Sequence, residues 1–398
     1  TGKDLKKMNK KISEIFVNTM FECNGYACHC MKDIENVIPG EEPVTRLKLY
    51  ADQSKPLHFT YTPKEGLNLT GTAGGIIDQN ILGKLLSLPA DDINKHIEFF
   101  EKYGFLLPLD FDEFSSIDGA TVLDVVNHIK ATIRLMNAIG KRDYRRMLIH
   151  ASYLLFTQPV TYQTSSQVYT TCQHQLTYLL ASGCIFPDVN QNREIQATGA
   201  LSINDSILGR KNRVSIEFIN AIRSGVGTEI SGSKSPWFKN ITALYLTQGE
   251  QDEDLKRTID FFYHLFTEIG VFDEVEFTHI KPYGTLNLDL LSDAMKDSLL
   301  KIARYVISEE INYNISGIHP KYDGGKLTAT WQVDTLLEAI YFSIFYMKAG
   351  VEIYKECENP NCKRNKYFLV EATRTNKKYC CSQCANAAAA QRHRNRQL

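Results

Sequence analysis

No part of the sequence approaches the roughly 20 consecutive apolar residues that a membrane-spanning helix needs. The lysine-rich start, Thr1 to Lys11, has no apolar signal core behind it. These absences lead to the expectation of a cytoplasmic protein with no membrane partner. Neither sign of charge dominates, since 45 Lys/Arg stand against 46 Asp/Glu for a net charge of −1, so the chain as a whole is not built to coat a polyanion. Familiar catalytic signatures are missing as well: there is no nucleophile elbow, zinc-protease helix or dinucleotide fingerprint. The glycine-rich pieces Gly71 to Gly75 and Gly324-Gly325-Lys326 lack the spacing of a phosphate-binding loop. No catalytic residue or organic cofactor is therefore assigned. Tryptophan is scarce, with 2 in the chain, but 20 Tyr and 20 Phe provide large side chains for a core.

A chain of 398 residues is long enough for two or three cores. Helical spacing dominates the reading of residues 1–350. Val122, Val125, Val126, Ile129, Ile133, Met136 and Ile139 form one stripe that ends at Gly140. Further helices are expected at 91–103, 141–156, 255–269, 289–312 and 333–348, the last with Asp334 as its N-cap. Short strands at 45–50, 57–62 and 275–280 are read as minor. The acidic run Glu250 to Asp254 reads as a solvated helix start, and 187–235, rich in Asn, Ser and Gly, as a loop-dominated boundary. The expected fold is mainly α: a helical body over 1–350, divided near 187–235, followed by a small C-terminal module over 355–398.

Ten cysteines fall in clusters rather than a ladder of even spacings, which favours metal ligation over disulfides. Cys23, Cys28, His29 and Cys30 form one group, its cysteines read as buried thiols with metal or redox use as the lesser alternative. Cys172, His174 and Cys184 are too isolated to rank above core or loop residues. Five more cysteines crowd into 357–384. Cys357 and Cys362 enclose Glu-Asn-Pro-Asn, a turn that aims two thiolates at one ion, and Cys384 opens an alanine-rich helix. Either Cys380 or Cys381 can join Cys384, being four or three residues before it. Structural zinc on four cysteines is the expected cofactor, and it can contribute on the order of 10–16 kcal/mol to folding so small a unit. From Lys355 to Leu398 there are ten Lys/Arg against three Glu, or +7, which leaves −8 for residues 1–354.

The run from Cys357 through Tyr367-Phe368 to Lys378-Tyr379-Cys380 and Cys384-Ala385-Asn386 resembles the CGNR zinc finger of bacterial proteins. The resemblance covers about 45 residues. It implies a treble-clef-like arrangement of knuckle, hairpin and helix, and it favours Cys380 over Cys381, which takes the family's serine place. The glycine and arginine of the family motif are Ala385 and Ala387 here. The resemblance also implies DNA binding or a regulatory role. Arg392, Arg394 and Arg396, with Lys377 and Lys378, are the residues expected to meet DNA or RNA phosphates. One alternative is an interaction or assembly protein, homo-oligomeric or bound to another protein, whose zinc module is purely structural. A second is an enzyme with its site in the body.

Overall fold

Alternation of buried and exposed residues along Phe21–Glu35 and Val44–Thr62 makes these two segments long paired strands, β1 and β2. The computed structural model describes residues 20–35, 43–62, 66–71, 74–189, 191–203, 208, 212–225, 230, 232–247, 252–324, 328–347, 352–359, 361–362, 367–371 and 376–395. The chain divides into two compact units, one formed by 1–133, 160–171 and 311–398, the other by 134–159 and 172–310.

The first unit is built on a five-stranded antiparallel sheet. β2 pairs with β1 along its length, with β3 (Gly66–Thr70) at its C-terminal half and with β5 (Ser115–Asp118) at its N-terminal half, while β4 (Ile76–Asp78) adds to β3. Leu47, Leu49, Phe59 and Tyr61 alternate on the buried face of β2. A bulge between Tyr26 and Cys28 bends β1. There the helix Ile93–Tyr103 ends on Gly104, at φ 81°, and a Cβ added at Gly104 would stand 2.6 Å from the Tyr26 carbonyl oxygen. No other residue type meets both the left-handed backbone and that close approach. The helix Leu336–Phe345 packs on the sheet through Phe342, whose ring lies 4.8 Å from Phe21, itself stacked on Tyr61 at 5.1 Å.

The second unit is helical around an aromatic centre. Phe156, Phe262, Phe266 and Phe272 meet edge to face or tilted, at centroid separations of 4.8 to 6.3 Å. The acidic start of Glu253–Glu268 has Asp252 as N-cap, and Arg257 bridges Glu253 and Asp254 at 2.6 Å each.

The mainly helical expectation is overturned. The described residues are 46% helical and 26% strand, with five two-stranded hairpins in addition to the five-stranded sheet, so the fold is mixed α/β. The largest error is β1. Its inward residues include Cys23, Cys28 and Cys30, small apolar side chains that carry little strand signal, and the bulge breaks the two-residue period in the middle. The strand expected at 275–280 is instead the turn of the hairpin Val271–Val275/Ile280–Tyr283. The helix at 336–345 is capped by Thr335 rather than Asp334, in a capping box completed by Glu338.

Candidate metal centre

The hairpin Glu352–Glu356/Tyr367–Glu371 carries the first half of the cysteine module in its connection. The strand after the knuckle thus pairs backwards, with the strand before Cys357, and the knuckle caps this hairpin instead of preceding one. Asn359, 6% exposed, shapes the turn: its carbonyl accepts from the Cys362 amide at 3.0 Å and its side chain accepts from the Asn361 amide at 3.2 Å. The Glu358 amide donates to the Lys378 carbonyl at 2.9 Å, which ties the knuckle to the second half.

That second half leads into the helix Ser382–Asn395, which starts after Cys380 and Cys381 and holds Cys384 in its first turn. The sulfurs of Cys357, Cys362, Cys380 and Cys384 all lie within 4.8 Å of one another. Cys380 stands 3.6 Å from Cys362 and 3.5 Å from Cys384, and Cys384 stands 3.7 Å from Cys362. Zn–S bonds of about 2.3 Å in a tetrahedron place sulfurs about 3.8 Å apart, whereas a disulfide needs about 2.05 Å. The four thiols therefore fit one tetrahedral ion and no covalent pairing. Cys357 and Cys384 are buried beside Phe368 and Val370, which limits water access. The Cys380 amide approaches Cys357 Sγ at 3.5 Å, the kind of outer contact that orients a thiolate. Desolvation, followed by hydrogen bonds from Cys384 and Cys362, raises the Cys380 thiol well above the ordinary range. Its ionisation calls for a cation close by. Cys381 lies 3.8 Å from Cys380 and is not one of the four.

Lys377, Lys378, Arg392 and Arg394 are exposed on this module. Lys377 sits 5.3 Å over the Phe368 ring, Lys378 pairs with Glu358 at 3.5 Å, and Arg392 Nε reaches the Ala388 carbonyl at 3.3 Å. Arg396 and the glycine-rich piece's Gly325-Lys326 lie outside the described residues. The module is fastened to the sheet unit. The Tyr367 amide donates to Ser87 Oγ at 3.1 Å, and Asn80 Nδ2 donates to the Tyr367 carbonyl at 3.4 Å.

Cys23, Cys28 and Cys30 do not converge on a point. They lie buried along β1, where Cys23 Sγ donates to the Thr335 carbonyl at 3.5 Å and Cys28 Sγ to the Phe100 carbonyl at 3.1 Å. Burial, then the charges of Glu338 and Asp334, pushes the Cys23 thiol up to about 12, which makes it a poor nucleophile in the cleft of about 1200 Å³ that it lines.

A second group of ligand-type side chains was not legible from the sequence. Cys172, His174 and Glu310 are all buried, with their ligating atoms within 4.8 Å of one another. His174 Nδ1 is 2.7 Å from Glu309 and Nε2 is 3.0 Å from Glu310. Burial alone would lower the His174 pKa, but the two glutamates outweigh it and raise the value to about 9. Cys172-x-His174 is the only local hint; the glutamates lie 135 and 136 residues further on. Comparison with known proteins yields no family model, curated protein or solved structure that matches the chain.

Proposed function

We propose that residues 355–398 form a zinc-stapled element that binds nucleic acid and is carried on the α/β unit, with Cys357, Cys362, Cys380 and Cys384 as the zinc ligands. Zinc supplies structure here and no chemistry: it holds the hairpin connection to the helix start. The observation that carries the reading is charge placed on a rigid mount. Lys377, Lys378, Arg392 and Arg394 are exposed around a four-cysteine centre, while the remainder of the chain carries the opposite sign. Only Cys384 and Ala388 of the helix Ser382–Asn395 are buried among its described side chains. Asn386, Ala387, Ala389 and Ala390 leave a face of short side chains beside the arginines. Such a face lets a helix approach a nucleic-acid backbone closely enough for arginine to reach phosphate. The contacts are chiefly to phosphates, so binding is salt-dependent and weakly selective for sequence. Fluorescence anisotropy with duplex DNA, single-stranded DNA and RNA at low salt tests this. The expectation is binding to at least one of them by the full chain, and binding to none overturns the proposal.

A structural reading is favoured by one separate observation, the two hydrogen bonds that tie Tyr367 to the sheet unit, its amide donating to Ser87 and its carbonyl accepting from Asn80. If the module serves only to brace the sheet unit, chelation lowers the melting temperature of that unit and nucleic acid leaves it unchanged.

A further inference from the structure

We infer that Cys172, His174 and Glu310 form a second metal site, a mixed sulfur, nitrogen and oxygen site for a borderline divalent cation of the zinc class, distinct from the four-cysteine centre.

The argument starts from the two nitrogens of His174. This side chain is 0% exposed, so neither nitrogen reaches bulk solvent. Nδ1 lies 2.7 Å from Glu309 Oε2, and the other oxygen of Glu309 accepts from Tyr305 Oη at 2.7 Å. A carboxylate fixed in this way holds the proton on Nδ1, the arrangement by which carboxylates orient metal-binding histidines. The lone pair of Nε2 then points at Glu310 Oε1, only 3.0 Å away and on a residue 1% exposed. A lone pair facing a carboxylate oxygen in a dry site is repulsive, and something positive has to lie between them. The choice is a second proton or a metal ion.

Cys172 favours the ion. It is 6% exposed, and its sulfur makes no hydrogen bond among the described residues, although its neighbours are the anionic Glu309 and Glu310. A proton on Nε2 leaves that sulfur without a role. A divalent ion uses all three donors. The thiolate and the Glu310 carboxylate neutralise it, the imidazole stays neutral, and Glu309, the more exposed of the two glutamates, keeps its hydrogen bonds from Nδ1 and Tyr305. Thiolate, imidazole and carboxylate together suit zinc better than the hard cations calcium or magnesium, which take oxygen ligands. Three protein ligands leave one position of a tetrahedral ion for water or another donor.

Zinc content and X-ray absorption of the full chain, purified from zinc-supplemented medium without chelator, test the assignment. The expected result is two zinc ions per chain. The absorption spectrum should show a shell of sulfur at about 2.3 Å together with nitrogen or oxygen at about 2.0 Å. Cys172→Ser should lower the content to one ion with an all-sulfur shell, whereas Cys357→Ser with Cys384→Ser should lower it to one ion in a mixed shell. One zinc per chain with only sulfur around it, in the unaltered protein, overturns the second site and leaves the four-cysteine centre standing. One zinc in a mixed shell does the reverse, and no zinc removes both.

Discussion

The amide of Tyr367 donates to the hydroxyl of Ser87 at 3.1 Å across 280 residues of chain, and this bond couples the cysteine module to the sheet unit. Tyr367 lies on the strand that leaves the knuckle, so its position depends on the centre that fixes that knuckle. Removing zinc with a chelator should release the amides of 367–371 to hydrogen exchange while those of β2 remain protected. Ser87→Ala should cost about 1 kcal/mol of stability, the usual worth of one such bond, with zinc still bound. Protection of 367–371 that is unchanged in chelator contradicts this coupling.

Cys380 and Cys381 are neighbours with different expected fates. Cys380→Ser removes a sulfur from the tetrahedron and should weaken zinc binding by orders of magnitude in competition with a chromogenic chelator. Cys381→Ser, outside the four, should leave it within a few-fold of the original protein. The opposite order would move the ligand by one residue.

Gly104→Ala should be among the most damaging small substitutions in the sheet unit. A backbone at φ 81° and ψ 166° is almost confined to glycine and costs an alanine roughly 1–3 kcal/mol, and the new Cβ would collide with the Tyr26 carbonyl, so the total should reach or exceed that range. A urea midpoint within error of the original protein would show that β1 and the helix end part more easily than their contact implies.

Two buried histidines set an acid limit. Burial, together with the Lys130 charge, brings His96 down to about 4, and burial with Arg134 and Arg146 brings His150 down to about 3. Asp92 acts on His96 in the opposite sense, through its carbonyl at 2.9 Å and its charge. His96 Nδ1 donates to that carbonyl, while Nε2 is buried without a partner, so a proton added there finds no acceptor. Both groups take up protons in the unfolded chain below about pH 6.5, before the folded chain does. The contribution of these two histidines is therefore whole above pH 6.5 and falls as the pH drops towards 4, by up to about 1.4 kcal/mol per pH unit for each. Urea titrations at pH 7 and pH 5 check this, and His96→Phe should flatten the dependence of the sheet unit.

The helices were the readable part of this sequence. The stripe from Val122 to Ile139 lies within the helix Gly119–Lys141, because an uninterrupted 3.6-residue period over many turns has no competing explanation. β1 was not readable, since its period breaks at Ala27 and three of its five buried positions are cysteine. The four cysteines could be grouped from spacing, but spacing left Cys380 and Cys381 equivalent; what differs between them is that the Cys380 sulfur lies within 4.8 Å of those of Cys357, Cys362 and Cys384. The pairing of the knuckle's outgoing strand with the strand before Cys357 also left no local mark. His174 and Glu310 show the limit most clearly, for their meeting depends on the packing of segments 136 residues apart.

The salt dependence of nucleic-acid binding tests the central claim most directly. Each phosphate contact contributes about 0.9 to the slope of log affinity against log salt on duplex DNA. Arg392→Ala combined with Arg394→Ala should therefore weaken binding across unrelated sequences and reduce that slope by about 1.8, with zinc content unchanged. An identical slope and affinity in this double variant would contradict the assignment of the C-terminal helix to phosphate contact.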